Sequence, residues 1–316
     1  GFIAFAFYFA EGAPIGFIWW AMPTLLRQVG VEISTIASFT AMLTLPWVFK
    51  FLWAPLVDMF RSSHLGFTKW IAWSQLFMCL TLFPLIFIPI TGNVMLWGIL
   101  LLLHSICAAT QDVAVDALVI NVIAKQEKGL LNGFMQGGML LGRSIFGGVA
   151  LMFIPQIGLP FTISLMIACI FVVMLLLLFI KEPVIVRIQK DRFIHFKNNL
   201  KETFYKKQTW YVIAFALTAA AAFEAVGGMS GVFFTDKQID SKIIGFFFSV
   251  PVVVAMLLGG LVGGFLSDKM SRKKSVSVFL CGFVFIIISI ALVGFVYPGA
   301  SHFLLLTLFA WMYFFI

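Results

Sequence analysis

The sequence predicts an all-α polytopic membrane protein, and three observations carry that expectation. Of 316 residues, 62% are hydrophobic and only 11% charged, with a mean hydropathy of +1.08. A soluble globular chain is about half apolar and about a quarter charged. The excess comes in blocks of about 20 residues or more, the length a helix needs to cross a bilayer. The basic residues then gather between alternate blocks, as membrane topology requires. Helices are favoured because hydrocarbon offers no water to unpaired backbone groups. Barrel strands would alternate polar and apolar over about ten residues, and these blocks do not.

Candidate spans fall at about 2–26, 34–57, 70–90, 94–123, 129–153, 160–180, 209–235, 243–266 and 275–297, with a tenth starting at 302 and unfinished at Ile316. Pro155 and Pro160 bracket the turn between the fifth and sixth spans. Tyr297, Pro298 and Gly299 mark the turn after the ninth; proline and glycine are the strongest local punctuation. Gly1 and Ile316 both lie in apolar runs, so the sequence reads as a fragment.

Sixteen of the 21 Lys and Arg residues fall in the loops after the second, fourth, sixth and eighth spans. Three fall on the other side, Arg27, Lys237 and Lys242, and two, Lys50 and Arg143, lie inside spans. This split places the basic loops in the cytoplasm. The net charge of +8 is therefore a topology signal, and no nucleic-acid partner is expected. The cysteines Cys79, Cys107, Cys169 and Cys281 all sit in apolar spans without metal or disulfide spacing. No metal and no cofactor are expected.

The only long polar stretch divides the chain. It gives a six-helix half at 1–181, a cytoplasmic linker at 182–208 and an incomplete second half at 209–316. Within the linker, Phe193, Phe196, Leu200 and Phe204 recur at helical spacing among lysines, the pattern of an amphipathic surface helix. Acidic landmarks repeat across it. Glu11 and Asp58 are 47 residues apart, and Glu224 and Asp268 are 44 apart. Two related halves with a site between them are a common transporter plan.

The stretch GFLSDKMSRKK at 264–274 resembles the signature loop of the major facilitator superfamily: a glycine, three residues, an aspartate, then a basic cluster. Ser271 replaces the usual second glycine, and the first-half copy, APLVDMF, has Ala54 for the first. The resemblance implies a fold of two pseudo-repeated six-helix halves, here truncated in the tenth helix. It also implies that Asp58, Gly264, Asp268 and Arg272 belong to loops that hold one conformational state. Three further stretches narrow it: EGAPIG at 11–16, KFLWAPLVD at 50–58 and ATQDVAVDA at 109–117. They resemble the peptide–acetyl-CoA–drug transporter family, which includes AmpG-type muropeptide permeases and acetyl-CoA transporters. GMLLGRSIFGGVAL at 138–151 is closer to the AmpG side, and ATQDVAVD to the acetyl-CoA side. The motifs leave the cargo open between the two.

Six ionisable residues lie inside spans: Glu11, Lys50, Asp112, Asp116, Arg143 and Glu224. Each costs roughly 2.5–3.5 kcal/mol at a helix centre on insertion scales, so they are expected to face one another or a wet cavity. On the fourth span His104, Ser105, Ala108, Gln111, Asp112 and Asp116 share an arc of about 140° at 100° per residue. On the fifth, Asn132, Gln136 and Arg143 form a second polar stripe. Arg143 and Asp112 share mid-depth, which allows a contact. Lys50 and Asp116 lie at similar depth, which allows a packing pair. Glu11, Lys50, His104, Gln111, Asp112, Asp116, Gln136, Arg143 and Glu224 are thus the candidate solute and proton pathway. Small-xxx-small pairs, Gly133/Gly137 and Gly138/Gly142 with Gly259/Gly263 and Gly260/Gly264, are expected to let the fifth and eighth spans approach between halves.

The expectation is a secondary active transporter of organic solutes, not an enzyme, working as a monomer in a bacterial inner membrane. It would bind a small anionic or amphiphilic solute and protons by alternating access. No Walker A loop is present in the sequence to support ATP-driven pumping. A membrane acyltransferase would need a nucleophile and base together, and His104 has no Cys or Ser at a useful spacing.

Overall fold

The computed structural model describes residues 1–59, 66–122, 128–180, 201–297 and 299–315. Ten helical segments follow one another. The first, α1, is continuous through Phe2–Gly16, Phe17–Ala21 and Met22–Gln28. Next come α2 at Ile33–Met59, α3 at Phe67–Leu82, and α4 at Val94–Val122. The fifth, α5, runs through Lys128–Arg143, Ser144–Val149 and Ala150–Ile157, and α6 covers Leu159–Leu175. After the linker come α7 at Lys207–Asp236, α8 at Ser241–Ser249 and Pro251–Lys269, α9 at Arg272–Val296 and α10 at His302–Phe314. Eight of these segments are long and apolar enough to span a membrane by length and composition among the described residues, and His302–Phe314 is a shorter apolar helix. This is a multi-pass membrane protein.

Local chemistry sets the joints. Gly158, at φ +82°, supplies the left-handed turn between α5 and α6 that other residues adopt poorly. Pro155 is inside α5 rather than in that turn. Asp240 caps α8 by accepting from the Lys242 amide at 2.7 Å, and Ser301 caps α10. Near Pro14, α1 widens into a π-helical stretch at Phe17–Ala21. In α5 a second π-helical stretch occupies Ser144–Val149 and packs against the first.

Helices α1 and α5 touch backbone to backbone. A Cβ on Gly12 would lie 2.2 Å from the Met139 carbonyl, and one on Gly138 would lie 2.2 Å from that of Phe5. Gly16 and Gly142 are equally committed, at 2.5 Å from Arg143 and 2.4 Å from Phe9. So Gly138/Gly142 pack on α1, where Gly12/Gly16 answer them, and not on α8 as the spacing had suggested. The fifth and eighth helices do meet, through Gly148 and Gly245, whose Cβ positions lie 2.7 Å from each other's carbonyls. Gly259 packs on Phe314 of α10 and Gly263 on Phe279 of α9, while Gly133, Gly260 and Gly264 have no described atom within 4 Å of a built Cβ.

The first six helices and the last four join at one end. Arg27 bonds Asp236 at 2.5 Å, and Gln28 bonds Ser241 at 2.8 Å. Deeper, the Ser144 hydroxyl donates to the Ser249 carbonyl at 2.7 Å and Trp20 stacks on Phe248 at 5.3 Å. This is the end away from the basic loops. Toward the other end Leu45, Val48 and Leu52 of α2, Tyr211 and Phe215 of α7, and Leu258 and Leu261 of α8 are exposed. The junction is closed at the Arg27–Asp236 end.

Residues 181–200, which carry Phe193, Phe196 and Leu200 of the expected amphipathic helix, lie outside the described residues, as do Arg61 and Lys125. The side chains of Asp58, Lys128 and Arg272 also lie outside the description. Phe204 is described: its ring lies 5.8 Å from Trp210.

Candidate functional site

The intramembrane charges separate into two groups. The first lies within the first six helices. The Lys50 ammonium of α2 pairs with Asp112 of α4, and the Tyr8 hydroxyl of α1 donates to Asp116. The expected alternatives were Asp112 with Arg143 and Asp116 with Lys50; the structure pairs each acid otherwise. Tyr8 holds Asp116, and Lys50 holds Asp112. Glu11 is 1% exposed, and its Oε2 has no hydrogen-bond partner among the described residues. It interacts electrostatically with Asp112, Lys50, Asp116 and Arg143. Gln111 is fully buried; its amide lies 3.5 Å from the Phe7 carbonyl, and its own carbonyl is unpaired.

The second group lies at the junction. Arg143 of α5 and Glu224 of α7 line one narrow cavity with Trp19 and Trp20 of α1, Phe223, Gly227 and Gly228 of α7, Met256 of α8 and Tyr313 of α10. Its volume, about 20 Å³, holds a water or two. The Arg143 guanidinium carbon sits 5.4 Å from the Trp19 ring centre, a cation–π distance. Arg143 makes no ion pair within 4.0 Å among the described residues, and its Nε is buried without a hydrogen-bond partner. Tyr313 is anchored below, its hydroxyl donating to the Gly227 carbonyl at 3.2 Å. The two π-helical stretches deliver this site. Trp19 and Trp20 lie in the first, and Arg143 immediately precedes the second. A π-bulge rotates the side chains beyond it and is frequent at functional sites. Arginine in this setting can hold an anionic group, the indoles can cover an apolar or sugar face, and Glu224 can accept a donor.

The remaining candidates scatter. His104 is fully buried between α3 and α4, away from the junction cavity. Gln136 is exposed. Asp268 is exposed at the end of α8, beside a Lys269–Phe265 cation–π contact of 4.2 Å. Close packing does not account for Gly264, which has open space around it. Among the described residues no group of three or more His, Cys, Asp or Glu could hold a metal.

Sequence reasoning did not select Tyr8, Trp19, Trp20, Tyr313, Arg27 or Asp236. For Trp19 and Trp20 a signal existed: they follow Gly12 and Gly16, a small-xxx-small pair in the quoted EGAPIG stretch. For Tyr8 and Asp236 none did, because their partners lie 108 and 209 residues away.

Apolar helical spans with ionisable residues buried among them define a multi-pass membrane protein. The chain belongs to the Major Facilitator Superfamily, which it matches over residues 1–316. It is 24% identical over 287 residues to the anhydromuropeptide permease of Escherichia coli K12, covering 86% of this chain and 56% of that protein. It is 25% identical over 284 residues to a Rickettsia conorii protein that bears the name transporter AmpG 4, covering 85% and 67%. The chain thus spans little more than half the length of the first of these relatives. Among solved structures, a D-xylose–proton symporter superposes with a TM-score of 0.72 at 12% identity, over 99% of this chain and 78% of that one. This structural likeness supports the fold alone.

Proposed function

We propose that this chain forms the core of a secondary active transporter that moves a small organic solute by alternating access, coupled to protons. The observation that carries it is the cavity shared by Arg143 and Glu224, which belong to different helix groups. A solute held there is touched by both groups, so its binding energy can drive their rearrangement. Arg143 would take an anionic group, and Trp19, Trp20 and Tyr313 an apolar or sugar face. A muropeptide-type cargo carries both, and the sequence likeness to the E. coli permease supports it. Glu11 is the favoured proton carrier, a buried carboxylate with one unpaired oxygen. Glu224 is exposed to the cavity and better placed to sense solute.

In this reading 1–181 and 209–316 are the two moving halves, joined by the linker 182–208. The basic loops face the cytoplasm of a bacterial inner membrane, and the junction stands open toward them. Asp58, Gly264, Asp268 and Arg272 then lie at the open, cytoplasmic end. The test is uptake of a labelled anhydromuropeptide, and separately of acetyl-CoA, into proteoliposomes with and without an acid-outside gradient. Gradient-driven uptake of the first that falls at least about 30-fold in Arg143→Ala supports the reading. Uptake indifferent to the gradient, or to Arg143, overturns it.

A further inference from the structure

Away from the junction, a set of buried polar atoms without partners lies inside the first six helices. On α4, Ser105 and His104 are fully buried, and among the described residues neither the Ser105 hydroxyl nor His104 Nε2 has a partner. On α3, Gln75 is fully buried, and neither its amide nitrogen nor its oxygen has a partner among the described residues. The Gln111 carbonyl and Glu11 Oε2 complete the set. Nearly all buried polar groups in folded proteins are paired, and those without a protein partner are commonly served by buried water.

Helix register sets the five side chains at neighbouring levels of the first six helices. The Nδ1 of His104 lies 3.2 Å from the Met78 carbonyl and 3.4 Å from the Thr81 hydroxyl. Because α3 and α4 are antiparallel, this register puts Gln75 level with Ala108. The contact from Gln111 to the Phe7 carbonyl places Glu11 within about a turn of the same level. Ala108, at this level of α4, is fully buried and carries only a methyl group. One turn further along α4 stand Ser105 and His104, and then Thr81 at the end of α3. The Met78 carbonyl can only accept, so Nδ1 carries the proton and Nε2 is left as an acceptor. Donor and acceptor capacity therefore alternates along the tract. It runs from Glu11 toward the Arg27–Asp236 end, the end at which the junction itself is closed. The charged and titratable groups facing Glu11 are Tyr8, Lys50, Asp112, Asp116 and Arg143.

We infer that this tract holds a file of water molecules that carries protons between Glu11 and the Thr81 end of α3, along a route separate from the solute cavity. The inference rests on the proton-coupled reading above, but only in its conducting half. A separate route would let Glu11 exchange protons with the side of the membrane from which the solute cavity is shut. Gln75 and Ser105 would be positioning residues for the water, and His104 a relay that takes a proton at Nε2 and gives up the one on Nδ1 to the Thr81 hydroxyl oxygen.

The test has two arms on the protein reconstituted in proteoliposomes. The first is X-ray hydroxyl-radical footprinting, which labels a buried side chain only where water lies beside it. Met78, fully buried next to His104, is expected to be labelled in the wild type and at least about fivefold less in Gln75→Leu. An unlabelled Met78 in the wild type overturns the water file. The second arm compares gradient-driven uptake of labelled anhydromuropeptide with its exchange at equal pH. Gln75→Leu and the gentler Ser105→Ala are expected to lose about tenfold in driven uptake and to keep exchange within about twofold. Driven uptake at the wild-type rate in both variants overturns the conducting role. If the wild type shows exchange but no driven uptake, proton coupling and conduction both fall. Labelling at Met78 would then still separate that failure from failure of the water file.

Discussion

The two charged regions of this molecule are built on opposite principles. Inside the first six helices Lys50 holds Asp112, and the Tyr8 hydroxyl holds Asp116. At the junction, Arg143 and Glu224 line a common cavity without an ion pair between them, and Arg143 rests on an indole face. Paired charges fix helix packing. An arginine short of partners in a walled cavity is poised for a ligand. Burial alone does not distinguish the two; the state of each charge's partner does.

The sharpest way to break that contrast is Lys50→Ala. It strands Asp112 among the helices, at an expected cost of about 3 kcal/mol. The double variant Lys50→Met with Asp112→Asn is expected to recover most of that in thermal unfolding. If Lys50→Ala unfolds like the wild type, the pair is not structural. Next comes Gly138→Leu, which drives a side chain into the Phe5 carbonyl and separates α1 from α5 beneath both regions. The expected loss is about 3 kcal/mol, visible as failure to elute as a single species in detergent. Gly137→Leu, where the nearest described neighbour is the Phe5 ring at 3.8 Å, is expected to be tolerated.

Arg143→Ala should behave in the reverse sense to Lys50→Ala. Transport is expected to fall at least about 30-fold, roughly 2 kcal/mol, with unfolding little changed. A large fall in stability instead would place Arg143 with the structural charges. Smallest is Arg27→Ala. That pair is partly exposed, so its removal is expected to cost under about 1 kcal/mol. Its effect should appear in the balance of conformations, measured by distance labels across Gln28 and Ser241. An unchanged distance distribution would mean that the Arg27–Asp236 contact does not hold the closed end.

Much of the fold was legible because a bilayer leaves few options. Nine spans and the start of a tenth were expected, and each has its helix among the described residues, with bounds that differ by a few residues. The intramembrane charges were legible too, since an ionisable residue in an apolar run stands out by composition. Their pairing was not. Depth along a helix constrained Lys50 to one level, and both Asp112 and Asp116 lay within reach of it. Asp116 meets Tyr8 instead, and a tyrosine in an apolar helix carries no signal of what its hydroxyl meets. The glycines show the same limit: GxxxG spacing says that a helix will be approached closely, and leaves open by which neighbour.

The sequence by itself determined that the chain crosses a membrane many times, which residues are charged within it, and which superfamily it resembles. Those properties follow from local composition and spacing, which each helix carries alone. Only the tertiary structure decided that Lys50 belongs to Asp112, that Gly138 and Gly142 serve α1, and that Arg143 shares a cavity with Glu224 instead of meeting Asp112. These depend on rotation and crossing of helices, set by contacts between residues far apart in the chain. In hydrocarbon, where apolar faces are nearly interchangeable, backbone approach at small residues and the pairing of a few polar groups make that choice.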